Sequence, residues 1–206
     1  MVTPRTLIFD LGKVLLDFDY GVAIRRLVPR CRVDLEALRR TLTQDSLLLE
    51  YESGRRSTPE FFSEVQRLTG YAGTIEEFRH VFGDIFTPIE PMVRLHAEAH
   101  ARGVPTYLFS NTNELAITFV RARFPFMRQF DGQILSYEVK AMKPEPPMYE
   151  LAERMSGFRG PEIFYVDDRA ENVEAGWQRG WQGIVHQDPA QTRSALVRLG
   201  VLGTTA

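Results

Sequence analysis

The residues of this sequence that are best suited to chemistry stand at the ends of short hydrophobic runs. The first such run is Leu7-Ile8-Phe9, too short to span a membrane and followed directly by a carboxylate and then a glycine. Two later runs also end in polar side chains, and a proline-braced lysine lies between them. The residues concerned are Asp10, Ser110, Asn111, Lys143, Asp167 and Asp168.

These residue types together indicate phosphoryl transfer. A carboxylate such as Asp10 is repelled by a phosphate dianion unless a cation offsets the repulsion. Mg²⁺ suits this task, because it takes one or two carboxylates and leaves sites for water and substrate. Lys143 adds a compact positive charge, and Ser110 offers a donor to the phosphate oxygens. We therefore predict a Mg²⁺-dependent site.

The elements that must position these residues are strands alternating with helices. Such alternation predicts an α/β fold, a Rossmann-like parallel sheet covered by helices on both faces. Ligands of such sheets bind at the carboxyl ends of the strands, where the polar residues stand. The predicted strands after the first are Val104 to Phe109, Gln133 to Leu135, Ile163 to Val166 and Trp181 to His186.

A helical insert interrupts this pattern directly after the first strand. Periodic hydrophobic residues predict helices from about residue 18 to about residue 87, including one opened by Thr58 and one that carries Phe86 on its buried face. We expect residues 1–17 and 88–206 to form the core, and residues 18–87 to form a helical-bundle cap.

Four stretches give the chain a resemblance to a known superfamily. They are Phe9-Asp10-Leu11-Gly12-Lys13-Val14-Leu15, Leu108-Phe109-Ser110-Asn111-Thr112-Asn113, Lys143-Pro144 and Val166-Asp167-Asp168-Arg169-Ala170-Glu171-Asn172. In this order they resemble the four motifs of the haloacid dehalogenase (HAD) superfamily, and the insert is similar to its C1 cap. Within it, the motifs look most like those of bacterial sugar-phosphate phosphatases akin to α-D-glucose-1-phosphate phosphatase.

The resemblance implies a role for each site residue. Asp10 is expected to be the nucleophile that becomes an aspartyl phosphate. Asp168 and the Gly12 carbonyl would join it on Mg²⁺, with Asp167 as a further ligand or a neighbouring support. Lys143 would also restrain the acidic cluster. Ser110, Asn111 and Lys143 would hold the phosphate, and Asn172 would support the metal ligands. Asn113 is a further supporting residue, although Asn111 and Asn113 either line the pocket or form turns.

One departure from the superfamily pattern is Gly12. Most phosphatases of the superfamily carry an aspartate at this place as general acid and base, and a glycine moves no proton. Water, a cap residue or the substrate would transfer the proton instead. A sugar 1-phosphate would be the substrate that depends least on a general acid. Asp17 and Asp19 are alternative proton carriers, although turn and cap roles are favoured for them. Glu50, Tyr51 and Glu52 either face the site or form a solvated helix end.

Gly12 also keeps two other functions open. A 2-haloacid dehalogenase uses an aspartate nucleophile without metal, but it gains nothing from Asp167 and Asp168 beside the nucleophile. A weakly catalytic sugar-phosphate binding or regulatory protein is the third hypothesis.

Composition narrows the classes of partner that this protein is expected to bind. The chain has 206 residues, a formal net charge of -2 and one cysteine, Cys31. It shows no basic footprint for nucleic acid or membrane, no signal-peptide pattern and no zinc spacing. We expect a cytoplasmic protein that binds a small phosphorylated metabolite, with its oligomeric state left open. His96 and His100 have a spacing that binds metals, but packing and surface roles are favoured for them.

Overall fold

The computed structural model describes residues 2–43 and 46–203, so Met1 and residues 204–206 of the predicted core lie outside the described residues. Its strands are β1 (Thr6–Phe9), β2 (Leu16–Phe18), β3 (Phe86–Pro88), β4 (Thr106–Ser110), β5 (Gly132–Leu135), β6 (Ile163–Asp167) and β7 (Gln182–Val185). Its α-helices are α1 (Tyr20–Leu27), α2 (Leu35–Thr43), α3 (Ser46–Glu52), α4 (Thr58–Thr69), α5 (Ile75–Gly83), α6 (Glu90–Ala101), α7 (Glu114–Arg123), α8 (Ser136–Val139), α9 (Pro146–Ser156), α10 (Ala170–Gln178) and α11 (Pro189–Arg198).

The main sheet is parallel, with strand order β5-β4-β1-β6-β7. β1 lies at its centre, and the side chains of Leu7, Ile8 and Phe9 are fully buried. Phe9 is paired with Leu108 on one side and with Val166 on the other. Because these three strands are in register, the residues that follow them reach the same edge of the sheet, as expected for this topology.

Helices cover both faces of this sheet. Leu7 and Phe9 belong to a buried cluster that includes residues of α6, α7 and α11, whereas Ile8 belongs to a cluster with residues of α9 and α10. The alternation follows from the strand period of two residues, which sends neighbouring side chains to opposite faces. The predicted Rossmann-like α/β fold is therefore confirmed.

Helices α1–α5 all lie between β2 and β3, and we refer to them as the helical bundle. They enclose a buried cluster of their own, in which Phe61 and Phe82 pack edge to face and Phe78 stacks on Phe82. In the described residues, no helix has the length and hydropathy needed to cross a bilayer.

The end of the helical bundle differs from the prediction. The pattern predicted a helix carrying Phe86, but α5 ends at Gly83, and Phe86 lies in β3 opposite Phe18 in an antiparallel ribbon. A ribbon forms here because the chain leaves and re-enters the sheet domain at neighbouring points, and pairing of the two segments satisfies their backbone groups.

The start of α4 also differs from the prediction by one residue. Ser57, not Thr58, caps the helix, and its backbone N–H donates to the Glu60 carboxylate at 2.8 Å. The Thr58 hydroxyl instead forms hydrogen bonds with the Tyr51 hydroxyl, at 2.7 Å, and with the Glu114 carboxylate. Thr58 thus joins the helical bundle to α7.

His96 packs in the core, in agreement with the sequence-based preference. It is buried, its Nε2 lies 3.0 Å from the Thr106 hydroxyl, and its ring stacks on Phe130. Burial, together with the positive charge of exposed His100, lowers the pKa of His96 to about 4. A histidine in an unfolded chain titrates at about 6.5, so the unfolded state binds this proton more tightly.

This pKa difference predicts a pH-dependent loss of stability. The stability associated with neutral His96 is complete above the unfolded pKa and is lost as the pH falls towards the folded pKa. Between pH 7 and pH 5 we expect the free energy of unfolding to fall by about 2 kcal/mol through this proton alone. Urea unfolding at both pH values should show that loss in the wild type and most of it in His100→Gln, which removes only the smaller of the two causes, whereas His96→Gln should show a clearly smaller loss. An equal loss in His96→Gln would contradict the assignment.

Candidate active site

A cavity of about 270 Å³ opens at the carboxyl edge of the sheet. Asp10 follows β1, Ser110 ends β4 and Asp168 follows β6, and all three side chains line it together with Lys143. The structure therefore brings together the residues that the sequence picked out from distant motifs. The helical bundle and its ribbon form the opposite wall, contributed by Phe18, Tyr20, Leu48, Glu52 and Phe86.

Lys143 lies at the centre of the charge arrangement. Its ammonium is buried and lies 2.9 Å from Oδ1 of Asp10 and 2.6 Å from Oδ2 of Asp167, and it donates to the Phe109 carbonyl at 2.8 Å. Burial alone would lower the pKa of Lys143, but the two carboxylates outweigh it and raise that pKa. The lysine is therefore a fixed cation beside Asp10.

The Asn111 side chain holds the lysine loop. Its Nδ2 donates to the Lys143 carbonyl at 3.1 Å, and its Oδ1 accepts from the Lys143 backbone N–H at 2.8 Å. Both polar atoms of the amide are thus bonded to the backbone of one residue. This contact favours a positioning role for Asn111, where the sequence had placed it among the phosphate-binding residues.

Asn113 and Ser110 occupy different positions in the same loop. The Asn113 side chain accepts from the Ala116 backbone N–H at 3.0 Å and so caps α7, while still lining the cavity. The Ser110 hydroxyl is buried at the cavity, and its contact within the described residues is a long one, 3.4 Å to the Asn111 carbonyl. That weak bond leaves the Ser110 hydroxyl suited to donating to a bound anion.

Asp10 is buried at the end of β1, and its Oδ1 accepts a hydrogen bond of 2.7 Å from the Leu11 backbone N–H. Burial raises the pKa of Asp10 to about 7, against the lowering effect of the Lys143 ammonium, and the charge of Asp167 raises it further. A cation at this edge would favour the ionised carboxylate, which is the nucleophilic form.

Asp167 is surrounded by donors. Its carboxylate accepts from the Arg169 backbone N–H at 2.9 Å, from the Asn172 amide at 3.0 Å, from the Tyr165 hydroxyl and from Lys143. Burial would raise the pKa of Asp167, but Lys143 and these hydrogen bonds outweigh it and lower that pKa. Asp167 and Asn172 therefore act together to hold the lysine.

The acidic residues fit a Mg²⁺ ion. Asp10, Asp167 and Asp168 each offer a carboxylate oxygen, and these oxygens lie within 4.8 Å of one another. Because Asp167 is already engaged by donors, Asp10 and the half-buried Asp168 are the carboxylates best able to bind an ion from the cavity. Burial and the charge of Asp167 raise the pKa of Asp168, a shift that a bound cation would oppose.

Gly12 lines the cavity close to Asp10 in the chain, and the Phe18 ring covers it. A Cβ added at Gly12 would lie 2.8 Å from Cε1 of Phe18, closer than carbon atoms approach without movement. The Phe18 side chain therefore takes the space in which an aspartate at this position would begin. Phe18 can pack at this position because residue 12 has no side chain.

The structure distinguishes among the acidic side chains whose roles the sequence left open. Asp17 is exposed and pairs with Lys13, whereas Asp19 caps α1 by accepting from the Gly21 backbone N–H at 2.7 Å. Glu50 pairs with Arg56 at 2.6 Å. Glu52 alone of the three consecutive candidates 50–52 lines the cavity.

Tyr20 is a cavity residue that the sequence did not indicate. Burial, and to a smaller extent the charge of Glu52, raise the pKa of Tyr20, so that it stays a neutral hydroxyl. A tyrosine at a helix start carries no pattern that distinguishes a cavity wall from a core position, so no signal in the sequence would have found it.

An α/β sheet with a buried lysine between a strand-end aspartate and an acidic pair is an arrangement that suits a hydrolase. The profile of the haloacid dehalogenase-like hydrolases matches residues 4–178, and the chain belongs to that family. The family membership agrees with the resemblance carried by the four motifs.

Three proteins that are similar to this chain indicate which activities occur among its relatives. D-ribitol-5-phosphate phosphatase from Bacteroides thetaiotaomicron is 24% identical over 93% of this chain and 96% of its own. (S)-2-haloacid dehalogenase from Pseudomonas fluorescens is 27% identical over 71% of this chain and 55% of its own. A HAD family enzyme of B. thetaiotaomicron, crystallised with magnesium and inorganic phosphate, superposes with a TM-score of 0.77 at 23% identity, covering 89% of this chain and 94% of its own.

Proposed function

We propose that this chain is a Mg²⁺-dependent phosphatase that hydrolyses a small phosphate monoester through an aspartyl phosphate on Asp10. The observation that carries the proposal is the buried Lys143 ammonium 2.9 Å from Asp10, at the cavity that Asp168 also lines. This arrangement couples a nucleophile with a fixed cation and a further acidic ligand, as attack on a dianion requires.

In the proposed reaction an Asp10 carboxylate oxygen attacks phosphorus, and the ester bond breaks with its electron pair on the leaving oxygen. Lys143 and the Ser110 hydroxyl stabilise the phosphate oxygens, while Asp167, Asn172 and Asn111 hold the lysine in place. Asp10, Asp168 and the Gly12 carbonyl would hold Mg²⁺, which offsets the repulsion between the nucleophile and the dianion. Water then hydrolyses the aspartyl phosphate.

The size of the cavity and the helical bundle suggest the substrate class. A cavity of about 270 Å³ suits a small metabolite. We propose residues 18–87 as a cap that closes this cavity over the substrate and excludes water. A related protein acts on D-ribitol 5-phosphate, and we infer a sugar or polyol phosphate for this chain as well.

The second candidate is a 2-haloacid dehalogenase, which the similarity to the Pseudomonas enzyme and the glycine at position 12 both motivate. The Asp167 and Asp168 side chains argue against it, because a metal-free site that attacks a neutral carbon gains nothing from two further carboxylates close to Asp10. A weakly catalytic sugar-phosphate binding protein is the third candidate.

A substrate panel separates these functions. The purified chain, supplied with Mg²⁺, is incubated with small sugar and polyol phosphates, and separately with 2-chloropropionate in the absence of metal. Phosphate release is measured in the first case and chloride release in the second. We expect phosphate release only. Chloride release alone would establish the dehalogenase, and saturable binding of a sugar phosphate without turnover would establish the binding protein.

Loss of the fixed cation is expected to slow the reaction strongly. Lys143→Ala removes a preorganised partner of the phosphate oxygens, so we expect turnover to fall by about a hundredfold or more. Steady-state phosphate release measures the effect, and Lys140→Gln, at an exposed lysine three residues earlier, is the matched control. Circular dichroism checks the fold, because the variant leaves Asp10 and Asp167 without their shared ammonium. A folded Lys143→Ala protein with nearly normal turnover would contradict the phosphate-site assignment.

A further inference from the structure

The proposed reaction leaves one chemical task without a residue on the sheet side of the cavity. An alkoxide is a poor leaving group, so the ester oxygen of a sugar or polyol phosphate needs a proton as the bond to phosphorus breaks. Gly12 has no side chain, and Phe18 covers it. Asp17 and Asp19 are engaged with Lys13 and with the start of α1. The proton must therefore come from a residue on the wall of the cavity opposite the sheet.

Glu52 stands on that other wall. It is the last residue of α3, and its backbone carbonyl accepts a hydrogen bond of 2.6 Å from the Ser136 hydroxyl. The same hydroxyl accepts from the Thr112 backbone N–H at 2.8 Å. Ser136 therefore fastens the end of α3 to the loop that begins at Ser110, and this fixes Glu52 opposite the sheet edge.

Glu52 lines the cavity together with Asp10 and Ser110. Among the described residues it forms no ion pair with an arginine or lysine, in contrast to Glu50 on the same helix, which pairs with Arg56. An acid without a cationic partner, held inside a reaction cavity, is free to exchange protons with a bound molecule.

The surroundings of Glu52 favour both protonation states near neutral pH. Burial raises the pKa of Glu52 to about 7, and the amide of Asn113 opposes that shift. A general acid works best when its pKa lies near the operating pH, because it then gives up a proton in one step and accepts one in the next.

We propose that Glu52 is the catalytic acid and base of this phosphatase, supplied by the helical bundle in place of a side chain at position 12. The assignment rests on the proposed phosphatase function. As Asp10 bonds to phosphorus, the ester bond breaks and the leaving oxygen takes the proton of the Glu52 carboxylic acid, which gives an alcohol and the Glu52 carboxylate.

The second step restores the acid. The Glu52 carboxylate takes a proton from the water whose oxygen attacks phosphorus. The bond between phosphorus and Asp10 breaks, its electron pair returns to the Asp10 carboxylate, and inorganic phosphate leaves. Glu52 is then protonated for the next cycle, so no other reactant is consumed.

Two esters with different leaving groups test this assignment. In Glu52→Gln we expect steady-state turnover of a polyol phosphate to fall by about a hundredfold or more, the scale for losing a general acid. Nitrophenolate leaves without protonation, so the first turnover of p-nitrophenyl phosphate should keep its wild-type rate and produce a burst, followed by slow turnover. Glu50→Gln, at the neighbouring acid outside the cavity, should behave as the wild type in both assays.

The outcomes distinguish failure of the Glu52 assignment from failure of the proposed phosphatase function. A loss in the first turnover of p-nitrophenyl phosphate as large as the loss in turnover of the polyol phosphate would show that Glu52 only supports the cavity and would overturn the assignment, as would wild-type behaviour of Glu52→Gln. Failure of the wild-type chain, supplied with Mg²⁺, to release phosphate from either ester would overturn the proposed function itself, and the acid–base role with it.

Discussion

Replacement of Asp10 by asparagine is expected to reduce phosphate release by on the order of 10⁴-fold or more, the scale for removing a nucleophile. An amide has nearly the shape of the carboxylate and can still accept the hydrogen bond from the Leu11 backbone N–H. It lacks the negative charge and the nucleophilic oxygen, however, so it cannot form the acyl phosphate. The rate should therefore fall without loss of the fold.

The measurement is steady-state phosphate release with a polyol phosphate, accompanied by circular dichroism of the variant. Asp17→Asn is the matched control, because Asp17 is an exposed aspartate that follows the nucleophile in the same segment and pairs with Lys13. It should retain nearly normal turnover. Undiminished release by Asp10→Asn would place the nucleophile elsewhere and would refute the mechanism.

A trapped intermediate gives a second, direct measurement. Rapid acid quenching of the wild-type chain during turnover should leave a phosphoryl group on the peptide that contains Asp10, which mass spectrometry would detect. The same peptide from Asp10→Asn should carry none. A phosphorylated peptide from another part of the chain would contradict the assignment of Asp10.

The position of the site could be predicted because strand ends are simple to recognise. Asp10, Ser110 and Asp167 each follow a run of buried residues, and parallel strands in register bring their carboxyl ends to one edge. That step needs only the order of the strands and the residue types at their ends. The alternation of strands and helices, which is a local property of the sequence, supplied the fold class.

The roles of individual side chains required distances between remote parts of the chain. Asn111 bonds to the backbone of Lys143, 32 residues away, and this contact distinguishes a positioning amide from a phosphate ligand. Similarly, Glu52 faces the cavity because Ser136 holds the end of α3. Helical periodicity places Glu52 on a face of its helix, but only the docking of that helix decides what the face meets.

The ribbon of β2 and β3 was missed for a related reason. Each strand has three residues, too few to show a period of two, and hydrophobic Phe86 continues the helical pattern of α5 by coincidence. Short strands such as these are stabilised by pairing with a distant partner rather than by their own sequence. The pairing exists because an insert must leave and return at one place.

Removal of the metal is expected to abolish phosphate release. Without a divalent cation the Asp10 carboxylate and a phosphate dianion repel each other at bonding distance, and the single Lys143 ammonium is already shared between Asp10 and Asp167. Treatment with EDTA followed by gel filtration should yield an inactive chain, and added Mg²⁺ should restore activity. Full activity after chelation would favour the metal-free dehalogenase type of site.

The two adjacent acids should respond differently to added Mg²⁺. Asp168 lines the cavity, so Asp168→Asn should raise the Mg²⁺ concentration needed for half-maximal activity by about a hundredfold or more, and excess Mg²⁺ should restore part of the rate. Asp167 instead bonds to Lys143, Tyr165 and Asn172. Asp167→Asn should therefore lower the free energy of unfolding and the turnover together, and excess Mg²⁺ should not rescue it. Rescue of Asp167→Asn but not of Asp168→Asn would reverse the two assignments, because the residue whose loss is compensated by Mg²⁺ is the one that binds it.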